Sequence, residues 1–222
     1  MSITDEDVRL LLERYTRRLA TLGSVPEALG WTKNRHVLRY HMLLEPWCLT
    51  NERLLDFGCG FGDLYAYCRE HFPMVQYEGL DLNPDLVAVG RQRYPDAKLS
   101  VANALNDGLN GCWDVIVASG VFNFKLSDNW SAVEGAFDLF SRHARKGFAA
   151  NFLSNRVDFE LDHTFHADPA QVLALAYRHS NRVMLRNDYM PFEFTVYVDM
   201  RREFDRHFVV YPEFLPFVGD HH

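Results

Sequence analysis

Three glycines spaced two apart, Gly58, Gly60 and Gly62, follow Leu54, Leu55 and the carboxylate of Asp56 in the stretch RLLDFGCGFGDL, Arg53 to Leu64. Glycine costs conformational entropy, so such a cluster is kept where the backbone needs positive φ or where a ligand must meet the main chain without a Cβ in between. The stretch reads as a strand, a binding loop and a helix start. Two ligand chemistries are disfavoured. A dinucleotide fingerprint needs its third glycine at position 63, where this chain has Asp63, and a carboxylate there repels a pyrophosphate. A Walker loop ends in Gly-Lys-Ser/Thr, and no lysine lies near. A ligand with cationic groups fits better, since Asp56 and Asp63 are then favourable charges. A tight structural turn is the alternative.

Other side chains extend this chemistry. Asp81, in GLDLNP, stands 25 residues after Asp56. An acid at the tip of the second strand of a doubly wound sheet can accept both hydroxyls of a ribose. Its competing role is to cap the helix that opens at Pro84, for which Asn83 is the better candidate. FELDHTFHADP places Asp162, His163 and His166 in one connection, and histidine is the natural proton acceptor near neutral pH. His166 lies nearer the helix start at Asp168-Pro169 and so has the firmer anchor; solvated loop histidines are the bland alternative. Glu193, in DYMPFEF, is a second candidate base or binding group, or else a surface acid. Phe122, Phe124, Phe165, Tyr189 and Phe192 could wall a pocket for a ring or an extended apolar group, although most aromatics are core.

The elements that must position these groups follow from periodicity. Val8, Leu11, Leu12, Tyr15, Leu19 and Leu22 recur at helical spacing from Asp5 to Leu22, with acids in the first turn. Asn34 to Glu45 forms a second helix. Strands are expected at Tyr77–Leu82, Lys98–Ala102, Trp113–Ala118 and Gly147–Phe152, and helices at Pro84–Tyr94, Ser131–His143 and Pro169–His179. Arg182–Arg186 and Phe194–Asp199 should form a hairpin. Alternating strands and helices imply a parallel sheet with right-handed crossovers.

Asp56-Phe57-Gly58-Cys59-Gly60-Phe61-Gly62 resembles motif I of the Rossmann-like, class I S-adenosylmethionine-dependent methyltransferases. The resemblance runs from roughly Trp31 to Asp199 and is specific in the combination of motif I with Asp81. It implies an α/β fold: one Rossmann-like domain with a seven-stranded, mostly parallel sheet in the order 3-2-1-4-5-7-6, ending in an antiparallel hairpin. It also implies S-adenosylmethionine as cofactor, held by Asp56, Gly58, Gly60, Gly62, Asp81, Leu82, Asn103, Ala104 and Ser119. Asn103, in VANAL, would meet the adenine amino group, and the Ser119 carbonyl, in VASGVFNF, the methionine amine. Val121 to Phe124 would enter the methyl-transfer chamber. The segment LGWTKNRHVLRYHML is similar to one in a bacterial subgroup in which Trp31, Arg39 and Tyr40 would close over the cofactor; simple packing on the sheet is the alternative. Residues 1–47 are then a helical lid segment and 48–222 the methyltransferase domain. Trp31, Tyr40, Phe122, Phe124, Tyr189 and Glu193 become candidate substrate contacts, with His166 and His163 as candidate catalytic bases.

Composition bounds the acceptor. The chain has 222 residues, 48% of them hydrophobic, and a net charge of −7. That charge gives no support to a phosphate-backbone partner, so no nucleic-acid substrate is expected. The Asn/Asp-Pro-Pro-aromatic tetrapeptide that marks transfer to DNA bases and amide nitrogens is missing. No acid pair stands at the fourth or fifth strand tip, so no metal is expected. Cys48, Cys59, Cys68 and Cys112 lack C-x-x-C spacing and no secretory signal precedes them, which suggests a cytoplasmic protein. No apolar run reaches the ~20 residues that span a bilayer. The expected activity is metal-independent methyl transfer to an oxygen or nitrogen of a small molecule. A protein or peptide acceptor, or a non-catalytic cofactor-binding role, is the alternative. His221-His222 carries no weight.

Overall fold

The computed structural model describes residues 3–31 and 35–218. The expected helix start at Asn34 and the terminal His221-His222 lie outside them. Helix α1 (Asp5–Leu22) opens with a capping box in which Thr4 Oγ1 accepts from Asp7 N and the Asp7 carboxylate accepts from Thr4 N. Distant parts of the chain fasten it. Ile3 and Asn106 exchange two hydrogen bonds of 3.0 Å, Ser127 N donates to Asp7 Oδ1 at 2.8 Å, and Asn83 Nδ2 donates to Thr16 Oγ1 at 3.2 Å.

Helix α2 (Arg35–Leu44) leads to β1 (Arg53–Phe57), α3 (Asp63–His71), β2 (Gln76–Asp81), α4 (Pro84–Arg93), β3 (Lys98–Val101), α5 (Ala104–Asp107) and β4 (Trp113–Ala118). Then come α6 (Asn129–His143), β5 (Ala144–Ser154), β6 (His166–Ala167), α7 (Pro169–Tyr177), β7 (Arg182–Arg186) and β8 (Glu193–Asp199). The sheet order is β3-β2-β1-β4-β5-β8-β7, with β6 added beside β5. Strands β1 to β5 run parallel, and β8 lies antiparallel between β5 and β7. This is the expected order, with the hairpin renumbered by the two-residue β6. Neither β6 nor the one-turn α5 is long enough to show periodicity in the sequence.

Alternate strand residues serve opposite layers, as the two-residue period requires. Leu55, Ile116, Phe148 and Phe152 meet Phe137 and Phe140 of α6 and Val172 of α7, whereas Leu54, Val115 and Ala149 meet Leu43 of α2, Leu64 of α3 and Val87 of α4. Phe137, Phe140, Phe148, Phe152 and Phe194 are wholly buried, each contributing roughly 1.5–3 kcal/mol relative to exposure. Helix α1 stands apart from both layers. Its Tyr15 and Leu19 pack on Ala28, Phe61 and Leu86 near the carboxyl ends of the strands.

Candidate active site

At the carboxyl ends of β1 to β4, where the crossovers flanking β1 and β4 leave in opposite directions, the sheet must leave a crevice. Residues 56–60, 80–83, 102–105 and 119–121 line it, with Leu11, Leu12 and Tyr15 of α1 and with Leu29, Trp31 and Tyr40. Asp56, Gly58, Gly60, Asp81, Leu82, Asn103, Ala104 and Ser119 all stand on its wall.

The wall is acidic and rich in acceptors. Gly58 and Cys59 donate their N–H groups to Leu80 O at 2.8 and 3.0 Å, which ties the glycine loop to β2. Asp81 Oδ2 accepts from Gly60 N and Oδ1 from Asn83 N, both at 2.8 Å, so the carboxylate is fixed while each oxygen keeps a lone pair for a ligand. Asn83 caps α4 through its own side chain. Asp56 is buried and accepts from Tyr77 Oη at 2.7 Å. Burial pushes its pKa up to about 7, with the Tyr77 bond opposing and the Asp81 and Asp63 charges adding to the rise. The Ser119 hydroxyl is buried without a partner among the described residues, and the Asn103 side chain makes no capping bond although it opens α5. Buried acceptors and an orphaned hydroxyl call for a ligand that brings donors and positive charge.

Two expected contacts move away from this wall. Gly62 does not line the crevice. It caps α3 at φ +78°, and a Cβ there would stand 3.1 Å from Leu99, so it serves the helix turn and packing. Asp63 does not line the crevice either: its Oδ1 accepts from Arg93 at 2.7 Å and from the Tyr94 hydroxyl at 2.9 Å.

Beside the crevice lies a second cavity of about 650 Å³ that shares Tyr15, Leu29, Trp31 and Gly120 with it. Gly120 has φ +69°, and a Cβ on it would lie 2.1 Å from the Trp31 ring, so the indole can pack against this strand tip only because position 120 has no side chain. Arg39 stacks on the indole at 4.4 Å and pairs with Glu193. Phe124, Phe192, His163 and His166 line the cavity. His166 Nδ1 lies 2.8 Å from Ser154 O, which can only accept, so Nδ1 carries a proton; Nε2 lies 3.1 Å from Thr164 Oγ1, a hydroxyl that also reaches Leu161 O at 2.9 Å, so Nε2 is basic only while that hydroxyl donates to it or turns aside. The sequence gives His166 the firmer anchor; in the structure His163 is exposed and His166 is held between Ser154 O and Thr164 Oγ1.

Three expected acceptor contacts lie elsewhere. Phe122 is buried and stacked on Phe152 in the core, because the short 3-10 turn Val121–Asn123 aims it inward. Glu193 is neither a surface acid nor a cavity wall; it is a buried partner of Arg39. Tyr189 stands behind it, with its hydroxyl 2.7 Å from Thr195 Oγ1 and 3.4 Å from Glu193. The sequence places α1 in the lid segment but singles out none of its residues for the site, and Leu11, Leu12, Arg14, Tyr15 and Arg18 reach the two cavities. The available signal was Arg14 and Arg18, one turn apart and astride Tyr15 on an otherwise apolar face.

Comparison with known proteins bears on what this site serves. A family model described as a methyltransferase domain matches residues 55–147. Rv1506c of Mycobacterium tuberculosis, whose name calls it a methyltransferase, is 31% identical over 150 residues that cover 64% of this chain and 90% of that one. The chain belongs to the class I S-adenosylmethionine-dependent methyltransferases. The fold agrees: the methyltransferase shares it with magnesium protoporphyrin IX methyltransferase of Synechocystis PCC 6803, at a TM-score of 0.65 over 88% of this chain and 100% of that one, with 12% identity. Ribosomal RNA small subunit methyltransferase C of Pseudomonas putida is 29% identical over 105 residues, 46% of this chain and 32% of that protein. The cofactor of this methyltransferase is S-adenosylmethionine, whose hydroxyls and ammonium are donors and whose sulfonium is a cation, matching the acceptor-rich crevice.

Binding should therefore be linked to protons. A cation in the crevice favours ionised Asp56, so cofactor binding between about pH 6 and 7 is expected to release up to about one proton, and affinity should fall by up to roughly tenfold per unit below pH 7. In the free protein a carboxyl whose folded pKa lies above its unfolded value stabilises the fold at low pH and loses that contribution as pH rises from about 4 through 7. Calorimetry with S-adenosylhomocysteine in buffers of different ionisation heat measures the release; uptake of a proton, or none, would refute the coupling.

Proposed function

We propose that this methyltransferase methylates an oxygen or nitrogen of a small molecule held in the second cavity, without a metal ion. The carrying observation is that cavity itself, about 650 Å³, which adjoins the crevice and shares Tyr15, Leu29, Trp31 and Gly120 with it. Its size suits a compact acceptor.

The cofactor supplies an already activated methyl group, so the main task of the chain is alignment, for which orientation contributes on the order of 7 kcal/mol in well-oriented systems. In this reading Asp81 holds the ribose hydroxyls, Asp56 balances the ammonium, and Asn103 with Ala104 receives the adenine. Leu82 and the glycine loop, Gly58 and Gly60, shape the wall, and Ser119 takes a remaining donor. Trp31, braced by Arg39, and Tyr15 narrow the passage and exclude water. His166 Nε2 accepts the acceptor's proton when the nucleophile is a hydroxyl or a protonated amine. His166→Ala should then lower kcat by about 10²-fold or more with cofactor affinity unchanged. A normal kcat with a raised KM would make His166 a binding residue instead.

The Pseudomonas relative, named for ribosomal RNA, favours an RNA acceptor as the second reading. Against it stand the short overlap and the net charge of −7. The deciding experiment incubates the protein with labelled S-adenosylmethionine and, separately, a metabolite extract, a protein extract and ribosomal RNA, each with and without chelator. Label confined to the RNA or protein fraction, or lost in chelator, would overturn the proposal.

A further inference from the structure

The second cavity reverses the charge of the chain around it. Among the described residues four arginines, Arg14, Arg18, Arg35 and Arg39, line it with a single carboxylate, Asp158, although the protein as a whole is acidic. These arginines are not equivalent. Arg39 is neutralised by Glu193. Arg35 lies over the Phe192 ring at 5.0 Å. Arg18 uses Nε and Nη2 on the Ala28 and Glu27 carbonyls, which leaves Nη1 to donate.

Arg14 differs from them. It sits one turn before Arg18 on the same face of α1, half-buried, with its guanidinium 5.0 Å from the centre of the Phe124 ring. No carboxylate pairs with it among the described residues. Burial pushes its pKa below the usual range, with Tyr15 opposing and the Arg18 and Arg17 charges adding to the fall. A partly desolvated guanidinium without a counter-charge is unfavourable until an anion arrives, and its planar donors match a carboxylate or a phosphate in bidentate fashion. The aromatic faces beside it supply the apolar half of the same site.

We propose that the methyl acceptor carries an anionic group, a carboxylate or a phosphate, which Arg14 binds with Arg18 at the α1 wall while the acceptor's apolar body lies against Phe124 and Phe192. The proposal rests on the small-molecule reading above and narrows it: neutral acceptors lose the contact, and the anion fixes which end of the molecule points toward Gly120.

The test titrates benzoate, phenyl phosphate and neutral benzamide into the protein saturated with S-adenosylhomocysteine, by calorimetry. At least one of the anions should bind about tenfold or more tightly than benzamide, and the tighter of the two distinguishes carboxylate from phosphate. Arg14→Gln should abolish the preference, Arg14→Lys should retain part of it, and S-adenosylhomocysteine affinity should be the same in all three proteins, which also reports that the variants fold. Equal binding of benzamide and both anions would overturn the proposal while leaving the small-molecule reading intact. Failure of all three compounds to bind would overturn both. A preference that survives in Arg14→Gln would remove the assignment to Arg14.

Discussion

Glu193→Ala should cost the fold roughly 3–5 kcal/mol, the range for leaving one half of a buried ion pair without its partner. The Arg39 Nε lies 2.7 Å from both Glu193 oxygens and Nη2 donates as well, with both side chains almost wholly out of solvent. Removing the carboxylate strands a guanidinium whose one ion-pair partner among the described residues is Glu193. Burial raises the Glu193 pKa while Arg39 lowers it, so the pair holds its charge through mutual contact. Replacing both residues with apolar side chains of similar volume should recover much of the loss, since the desolvation cost then disappears. Urea unfolding at constant m-value reads both effects. A single-variant loss below about 1 kcal/mol would mean that water reaches the pair. The damage should also reach the site, because Arg39 is the support on which the Trp31 indole rests.

The second large effect is on cofactor binding. Asp81→Ala should weaken S-adenosylmethionine and S-adenosylhomocysteine by about 1.5–3 kcal/mol, roughly 10- to 150-fold, as for loss of a charge-assisted hydrogen bond. It also frees the Gly60 and Asn83 N–H groups, so part of the loss is loosening of the loop. Asp81→Asn is not a mild control: both carboxylate oxygens already accept from backbone N–H groups, and either amide orientation sets an NH2 against one of them. Calorimetry beside a thermal melt separates the contributions. Equal affinity in wild-type and Asp81→Ala protein would remove Asp81 from the cofactor site.

The strands and the acidic wall were legible because each rests on local pattern: apolar runs such as Leu54-Leu55, the glycine spacing, an acid at the end of β2; the order of the strands followed from the family resemblance that motif I carries. What stayed hidden depends on direction without periodicity or on distance along the chain. Phe122 and Phe124 are two residues apart in an irregular segment, yet one is core and the other lines a cavity. No pattern separates them. Glu193 read as a candidate base or substrate contact, or else a surface acid, and not as half of an ion pair, because its partner lies 154 residues earlier. Gly62 shares the spacing of Gly58 and Gly60 but belongs to the next helix, and only its φ and the Leu99 contact reveal that.

Helix α1 lines both cavities, yet its fastenings reach residues 103 and 120 positions away, Asn106 and Ser127. Contacts of such sequence separation repay loop-closure entropy only after the intervening chain is ordered, so α1 should dock late in folding, onto a sheet already formed. The same separation makes it the natural unit for partial opening from the native state, with amide exchange faster than in β4 or β5. The molecule would then assemble its scaffold first and acquire the α1 wall of both cavities as the last event. A nascent chain has synthesised α1 long before the surface that receives it exists.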